Sequence, residues 1–166
     1  MSDYILSLRR LVGHRPLLQV GASVIVENSE GHILLQLRRD NNCWGYAGGS
    51  VELDEVVEDA ARRELLEETG LTARRLELFG IWSGPGLHYV YPNGDEVSNI
   101  DIVYLCRDYT GTLRPQSDEV ERLQFFAADC LPAELSPPVQ RAILQWARQK
   151  LQGTGSLSLP AAGIVE

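Results

Sequence analysis

The chain of 166 residues contains 44% hydrophobic and 23% charged residues, a composition typical of a soluble globular protein with one hydrophobic core. Its formal net charge of −8 argues against general nucleic-acid binding, because the neutralisation of phosphates requires a basic surface. Three widely spaced cysteines and the lack of a long apolar segment argue against a disulfide framework, a zinc site and a membrane anchor, so a cytoplasmic location is expected.

The N-terminal residues 3–12 have the spacing of a short amphipathic helix. Four apolar residues share one face of it: Ile5, Leu8, Leu11 and Val12. This face either covers the core of its own domain or contacts a second subunit. The sequence leaves both alternatives open, a homodimer included.

Two β-rich segments follow, residues 17–27 and 33–38, separated by turn residues at 28–31. This pattern predicts a β-hairpin whose apolar strands are buried on both faces. Arg38 and Arg39 end the second strand. Because a guanidinium group matches phosphate oxygens in bidentate fashion, this pair is a candidate for binding substrate phosphates. The alternative is a solvated strand end.

The most informative segment is a helix predicted over residues 54–69, with Asp54 as its N-cap and Gly70 as the glycine that ends it. Three glutamates share one face of this helix: Glu64, Glu67 and Glu68. The same face carries four apolar residues one or two turns earlier: Val56, Val57, Ala60 and Ala61. An inward-facing acidic cluster needs a cation, and its oxygen ligands suit Mg²⁺ or Mn²⁺. The alternative is a solvated helix face with ordinary i,i+4 ion pairs.

Most of the remaining chain reads as strands and turns. Strands are predicted over residues 74–82, 87–91, 96–109 and 123–127, the middle two forming a second hairpin. A closing helix is predicted to begin at Pro137 and Pro138. Its buried face would contain Val139, Ile143, Trp146 and Ala147. Residues 1–151 therefore form one predicted domain, and residues 152–166 a flexible tail.

Aromatic residues cluster around a turn at residues 83–86. Trp82 and Tyr89 flank this turn, and their rings are candidates for stacking on a nucleobase. The alternative for each is ordinary packing within a β segment.

The spacing of residues in and around the acidic helix identifies a family. Gly49 is followed by Glu55 and then, after seven residues, by the run from Arg63 to Leu71. This pattern resembles the box motif of Nudix hydrolases over 23 residues without a gap. One departure lies upstream, where Ala47 stands at a position that is proline in many members. This difference removes none of the residues that the motif would use to bind a metal ion.

The resemblance implies an α/β Nudix fold, a mixed β-sheet sandwiched between α-helices, and a metal-dependent enzyme that cleaves pyrophosphate linkages. It implies a metal site for Mg²⁺, or Mn²⁺, made of Gly49 (through its carbonyl), Glu64, Glu67 and Glu68. Glu64 is either a further ligand or the catalytic base, and Arg63 orients the glutamates. Glu119, by its order along the chain, resembles a glutamate outside the box that assists catalysis, with Glu121 as the rival.

The resemblance also bears on the substrate. Pro85 lies 15 residues beyond Gly70, a spacing similar to that of pyrophosphatases for ADP-ribose and nucleotide sugars. We therefore expect a nucleoside diphosphate linked to another group. The first alternative is a mutator-type enzyme that removes damaged nucleoside triphosphates. The second is a noncatalytic nucleotide-sensing or protein-interaction domain.

Overall fold

The computed structural model describes residues 4–91, 93–115 and 119–152. The helices are α1 (Tyr4–Val12), α2 (Val57–Thr69) and α3 (Pro137–Leu151). The strands are β1 (Leu17–Val26), β2 (Ile33–Arg38), β3 (Trp44–Gly45), β4 (Ala47–Ser50), β5 (Leu71–Trp82), β6 (His88–Val90), β7 (Glu96–Gly111) and β8 (Val120–Phe126). The predicted tail lies outside the described residues except for Gln152, which caps α3. No helix in the described ranges is long and apolar enough to cross a membrane.

The strands form two sheets. The larger sheet has the order β4-β1-β7-β5, and β6 also pairs with β7. Because β1 and β7 run parallel while the other pairs are antiparallel, this sheet is mixed. The smaller sheet, β3-β2-β8, is antiparallel. The predicted α/β class with a mixed sheet is confirmed, and so is the second hairpin, β6 with β7.

The first predicted hairpin is only half right. The predicted turn is present. The Asn28 amide donates to the His32 carbonyl at 3.0 Å, and Glu27 and Ile33 form an antiparallel β-bridge. The two strands then separate into different sheets. Ile25 of β1 and Leu35 of β2 are fully buried in one cluster, so the strands meet face to face through their side chains instead of edge to edge. The outer half of β1 alternates between half-buried and exposed residues, contrary to the prediction of two buried faces.

Helix α3 closes the space between the sheets much as predicted. Its residues Ile143, Trp146 and Ala147 are buried, together with Ala142, while Val139 is half-buried. Four residues form a polar clamp at its C-terminal end: Glu27, Arg107, Trp146 and Lys150. The buried Glu27 carboxylate accepts hydrogen bonds from Trp146 Nε1 at 3.0 Å, Lys150 Nζ at 2.6 Å and Arg107 Nε at 3.1 Å. A buried carboxylate is therefore paired and satisfied there.

Helix α1 is attached mainly through polar contacts. The Tyr4 amide donates to Glu52 Oε2 at 3.1 Å, and Arg9 donates to the carbonyls of Arg15 and Glu96. No residue of this helix is buried, and Leu11 is 82% exposed. The predicted apolar face is therefore only partly covered by the body of the protein.

Candidate active site

Helix α2 follows the loop of residues 51–56 and is separated from β5 by Gly70 alone. It begins at Val57, three residues later than predicted, and Asp54 is not its cap. Asp54 has a φ of 61°, a left-handed turn conformation, so the chain is not yet helical there. The end of the helix is as predicted, since Gly70 has a φ of 77° and its amide donates to the Leu66 carbonyl at 3.0 Å.

The three glutamates of α2 differ in their surroundings. Glu68 is only 6% exposed and Glu64 is half-buried, as the prediction of an inward face requires. Glu67 and Val56 are exposed, contrary to that prediction. The helix packs against the protein through Ala60, Ala61 and Leu65. Glu68 lies on this buried face, and Glu67 lies at its solvent-exposed edge.

Arg63 links the acidic residues of the motif. Its Nε and Nη2 donate to the two carboxylate oxygens of Glu55 at 2.8 and 3.0 Å, a bidentate pair. Its Nη1 donates to Glu64 Oε1 at 2.5 Å and lies 3.5 Å from Glu67 Oε2, and Nη2 also donates to the Ser50 carbonyl at 3.0 Å. Hydrogen bonding to Arg63 lowers the pKa of Glu55. Arg63 therefore orients Glu64 while Glu55 fixes Arg63.

Glu68 is held from the opposite side. Its Oε2 accepts hydrogen bonds from the Gly48 amide at 2.8 Å and from Gln36 Nε2 at 3.0 Å. Gln36 is 1% exposed, and its Oε1 is buried without a hydrogen-bond partner among the described residues. A buried acceptor of this kind needs a donor that the protein does not supply, such as a water molecule.

Gly49 contacts Glu64 so closely that a side chain does not fit. A Cβ at this position would lie 2.5 Å from the Glu64 carboxyl carbon. The neighbouring Gly48 is equally confined, because its Cβ would lie 2.8 Å from the Cα of Ser23. Strand β4 therefore brings its backbone directly against the carboxylates of α2.

The carboxylates provide an oxygen-rich site, the chemistry that hard divalent cations prefer. Within the described ranges, no three Asp, Glu, His or Cys side chains are already grouped so that they could hold a metal ion. Glu64 instead pairs with Arg63, and Glu68 with Gly48 and Gln36. The donor set and the unpartnered Gln36 Oε1 fit a hydrated cation that would complete the hydrogen bonds of this region.

Burial shifts the protonation of both inner glutamates. It raises the pKa of Glu64, an effect that Arg63 opposes. It also raises the pKa of Glu68 to about 7, although hydrogen bonds from Gly48 and Gln36 act in the other direction. The ionised form of Glu68 is thus unfavourable in the protein without a cation.

We expect Glu68→Gln to stabilise the metal-free protein at pH 8. Because the pKa of Glu68 is raised on folding, its protonated state favours the folded form at low pH, and this contribution is lost as the pH rises from about 4.5 to about 7. A glutamine cannot ionise and so removes this loss, a gain in unfolding free energy of roughly 3 kcal/mol at pH 8. The measurement is the thermal midpoint in EDTA at pH 5 and pH 8. Equal midpoints for variant and wild type at both pH values would contradict it.

A cleft of about 480 Å³ opens above these residues. Its lining includes Glu64, Glu68 and Gly49 from the motif, Arg38 from the end of β2, and Glu119. Helix α1 forms another wall. The cleft therefore brings together parts of the chain that are far apart in sequence.

Only some of the predicted residues outside the motif line the cleft. Arg38 faces the cleft, where its Nε and Nη2 donate to Asp40 at 3.0 and 3.2 Å and its Nη2 lies 3.7 Å from Glu119 Oε2. Arg39 is exposed, donates to the Val120 carbonyl at 3.4 Å and is not part of the cleft lining. Glu121 is exposed and also lies outside that lining.

A second cavity adjoins the cleft and shares Arg38, Gly48 and Gly49 with it. Tyr89 lines this cavity, with its ring edge-on to Tyr91 at 4.9 Å between centroids. Trp82 lies elsewhere, stacked on Phe79 at 5.5 Å and packed against the core.

Several polar residues of these cavities were not predicted. They are Ser23, Asp40, Tyr46, Asn99 and Asp101, and Gln36 beside Glu68 was not predicted either. Gln36 and Asp101 each interrupt an apolar strand run in the sequence. A single polar residue inside such a run is a usable signal, because burying its side chain is unfavourable unless a hydrogen-bond partner is present.

The acidic helix lies beside an arginine and an aromatic-lined cavity, an arrangement suited to the metal-assisted hydrolysis of phosphoric anhydrides. The chain matches the NUDIX domain model over residues 17–147, and it belongs to that family. It is therefore a Nudix pyrophosphohydrolase, as the motif predicted.

Individual relatives differ in their substrates. The chain is 32% identical to an ADP-ribose pyrophosphatase of Methanocaldococcus jannaschii, a match that covers 79% of this chain and 76% of that protein. It is 31% identical to an oxidized purine nucleoside triphosphate hydrolase of Danio rerio, covering 61% of this chain and 62% of that protein. A MutT NUDIX hydrolase structure from Burkholderia pseudomallei has a TM-score of 0.66 at 31% identity, covering 78% of this chain and 98% of that one.

Proposed function

We propose that this enzyme cleaves the pyrophosphate bond of a nucleoside diphosphate linked to a second group, of the ADP-ribose or nucleotide-sugar type, with a divalent metal ion. The observation that carries the proposal is the cleft in which Glu64, Glu68 and Glu119 lie beside Arg38. The similarity to the archaeal ADP-ribose pyrophosphatase supports this substrate type.

The residues have distinct proposed roles. Glu64, Glu67, Glu68 and the Gly49 carbonyl would hold Mg²⁺ or Mn²⁺. The ion would neutralise diphosphate charge and so favour attack by water. Arg63 positions Glu64 through their hydrogen bond of 2.5 Å. Arg38 would bind a phosphate, with its guanidinium already oriented by Asp40.

The base that accepts a proton from water would be Glu119 or Glu64. Both carboxylates line the cleft. The Glu119 side chain is largely exposed, and its charge is not committed to a bidentate pair in the described structure. Displacement at one phosphorus would release two phosphorylated products.

A substrate panel tests this proposal. We expect kcat/KM for ADP-ribose or a nucleotide sugar to exceed that for normal and oxidised deoxynucleoside triphosphates by about tenfold or more. Diadenosine polyphosphates complete the panel. Released phosphate groups are measured with and without a coupled phosphatase. A tenfold preference for triphosphates would favour the second candidate, a mutator-type hydrolase. The Danio rerio relative, an oxidized purine nucleoside triphosphate hydrolase, has an activity of this kind.

A further inference from the structure

One buried carboxylate lies outside the catalytic set. Asp101, in the middle of β7, is 6% exposed and lines the second cavity. Its Oδ1 accepts a hydrogen bond from Ser23 Oγ at 2.7 Å, and its Oδ2 accepts one from the Tyr46 hydroxyl at 2.7 Å. Among the described residues, no Arg, Lys or His forms an ion pair with Asp101. Asp101 is thus a buried acid held by two neutral hydroxyls.

Burying such a carboxylate is unfavourable unless it gains further hydrogen-bond donors. A carboxylate removed from water without a cationic partner loses its hydration, and this burial raises the pKa of Asp101. A carboxylate has about four acceptor sites, of which the two hydroxyls occupy two. The remaining capacity lies on the wall of a cavity that adjoins the catalytic cleft.

Two amides add further polar groups to this cavity. Gln19 Nε2 donates to Ser50 Oγ at 2.7 Å, and Asn99 Nδ2 donates to the Leu87 carbonyl at 3.2 Å. Each amide nitrogen uses one of its two hydrogens in these contacts, so both amides keep a carbonyl oxygen and a second N–H that can meet a ligand. Both amides line the cavity.

The other walls suit a flat ring. Tyr89 and Tyr91 provide aromatic surface, while Leu87 and Val139 provide apolar surface. A few polar groups on mostly apolar walls are typical of a small-molecule pocket. The ligand that fits is planar, apolar on its faces and has several N–H donors along one edge.

We propose that Asp101 selects guanine as the base of the substrate. Guanine presents an N1–H and an N2 amino group side by side, two donors that one carboxylate can accept together. Adenine would turn its N1 lone pair toward the carboxylate, and hypoxanthine lacks the amino group. The proposal rests on the proposed function and narrows its nucleotide-sugar type to guanine nucleotides, so a GDP-linked group would replace ADP-ribose as the preferred substrate.

Binding titrations of the wild-type protein with GMP, IMP and AMP in Mg²⁺ test the proposal without any substitution. GMP is expected to bind at least about tenfold more tightly than either IMP or AMP, because each of them leaves an acceptor of the pocket unpaired. Equal affinities for the three, or no measurable binding of GMP, would overturn it.

Asp101→Asn provides a second test, with Asp108→Asn as the matched control. Asp108 lies on the same strand but is exposed and outside the cavity. The introduced amide would present one donor and one acceptor in place of two acceptors, so the ratio of GMP to AMP affinity should fall at least about tenfold. Asp108→Asn should keep the wild-type ratio. A folded Asp101→Asn protein with an unchanged ratio would overturn the proposal.

Turnover separates this proposal from the proposed function. Equal kcat/KM values for GDP-linked and ADP-linked sugars would overturn the role of Asp101 and leave the linked-diphosphate function standing. Preferential GMP binding without cleavage of any pyrophosphate substrate would overturn the function and support the guanine-selective pocket.

Discussion

Glu68→Gln is expected to lower kcat in saturating Mg²⁺ at least about a hundredfold, roughly 3 kcal/mol of transition-state stabilisation. The reason is that Glu68 is the most buried carboxylate of the motif and would lose its charge toward the metal. Glu67→Gln should have a similar effect, because the more exposed Glu67 is proposed to bind the same ion. Phosphate release measured over a range of Mg²⁺ concentrations determines both kcat and the metal requirement.

The control for these variants is Glu58→Gln on the exposed face of the same helix, which should retain wild-type turnover. Thermal unfolding in EDTA verifies that each variant is folded. Near-normal turnover of either Glu67→Gln or Glu68→Gln in Mg²⁺ would show that the proposed ligand set is wrong.

The second large effect concerns the base. Glu119→Gln should lower kcat roughly a hundredfold, while KM changes little. Glu119 lines the cleft together with Glu64 and Glu68, and its Oε2 lies 3.7 Å from Arg38 Nη2. Its side chain is 71% exposed, so the substitution should not affect folding. Steady-state kinetics on the preferred substrate provides both constants.

Glu121→Gln is the matched control, because Glu121 is exposed and outside the cleft lining. It should behave as the wild type. The opposite pattern, a damaging Glu121→Gln and a silent Glu119→Gln, would move the role to Glu121. Two silent variants would leave Glu64 as the candidate base.

The motif and the fold class were predictable because they depend on local spacing. The run from Gly49 to Leu71 is continuous, and Gly70 ends α2 as its sequence context indicates. The N-cap was misplaced because Asp54 enters a left-handed turn and Glu55 is bound by Arg63. Helix propensity depends on neighbouring residues and does not account for an ion pair between residues eight positions apart.

The surroundings of Asp101 could not be predicted, because they depend on the register between distant strands. Gly21 of β1 lies opposite Asp101 of β7 in the parallel pair, and only this register brings Ser23 within 2.7 Å of the carboxylate. The Tyr46 hydroxyl also donates to Asp101, a contact between residues 55 positions apart.

Metal-dependent cleavage is tested by identifying the products of a linked nucleoside diphosphate after incubation with the purified protein, with Mg²⁺ or with EDTA. We expect two phosphorylated products, a nucleoside monophosphate and the phosphorylated second group, formed only with the divalent ion and largely abolished by Glu68→Gln. Cleavage that continues unchanged in EDTA, or no cleavage of any linked diphosphate or nucleoside triphosphate, would contradict it.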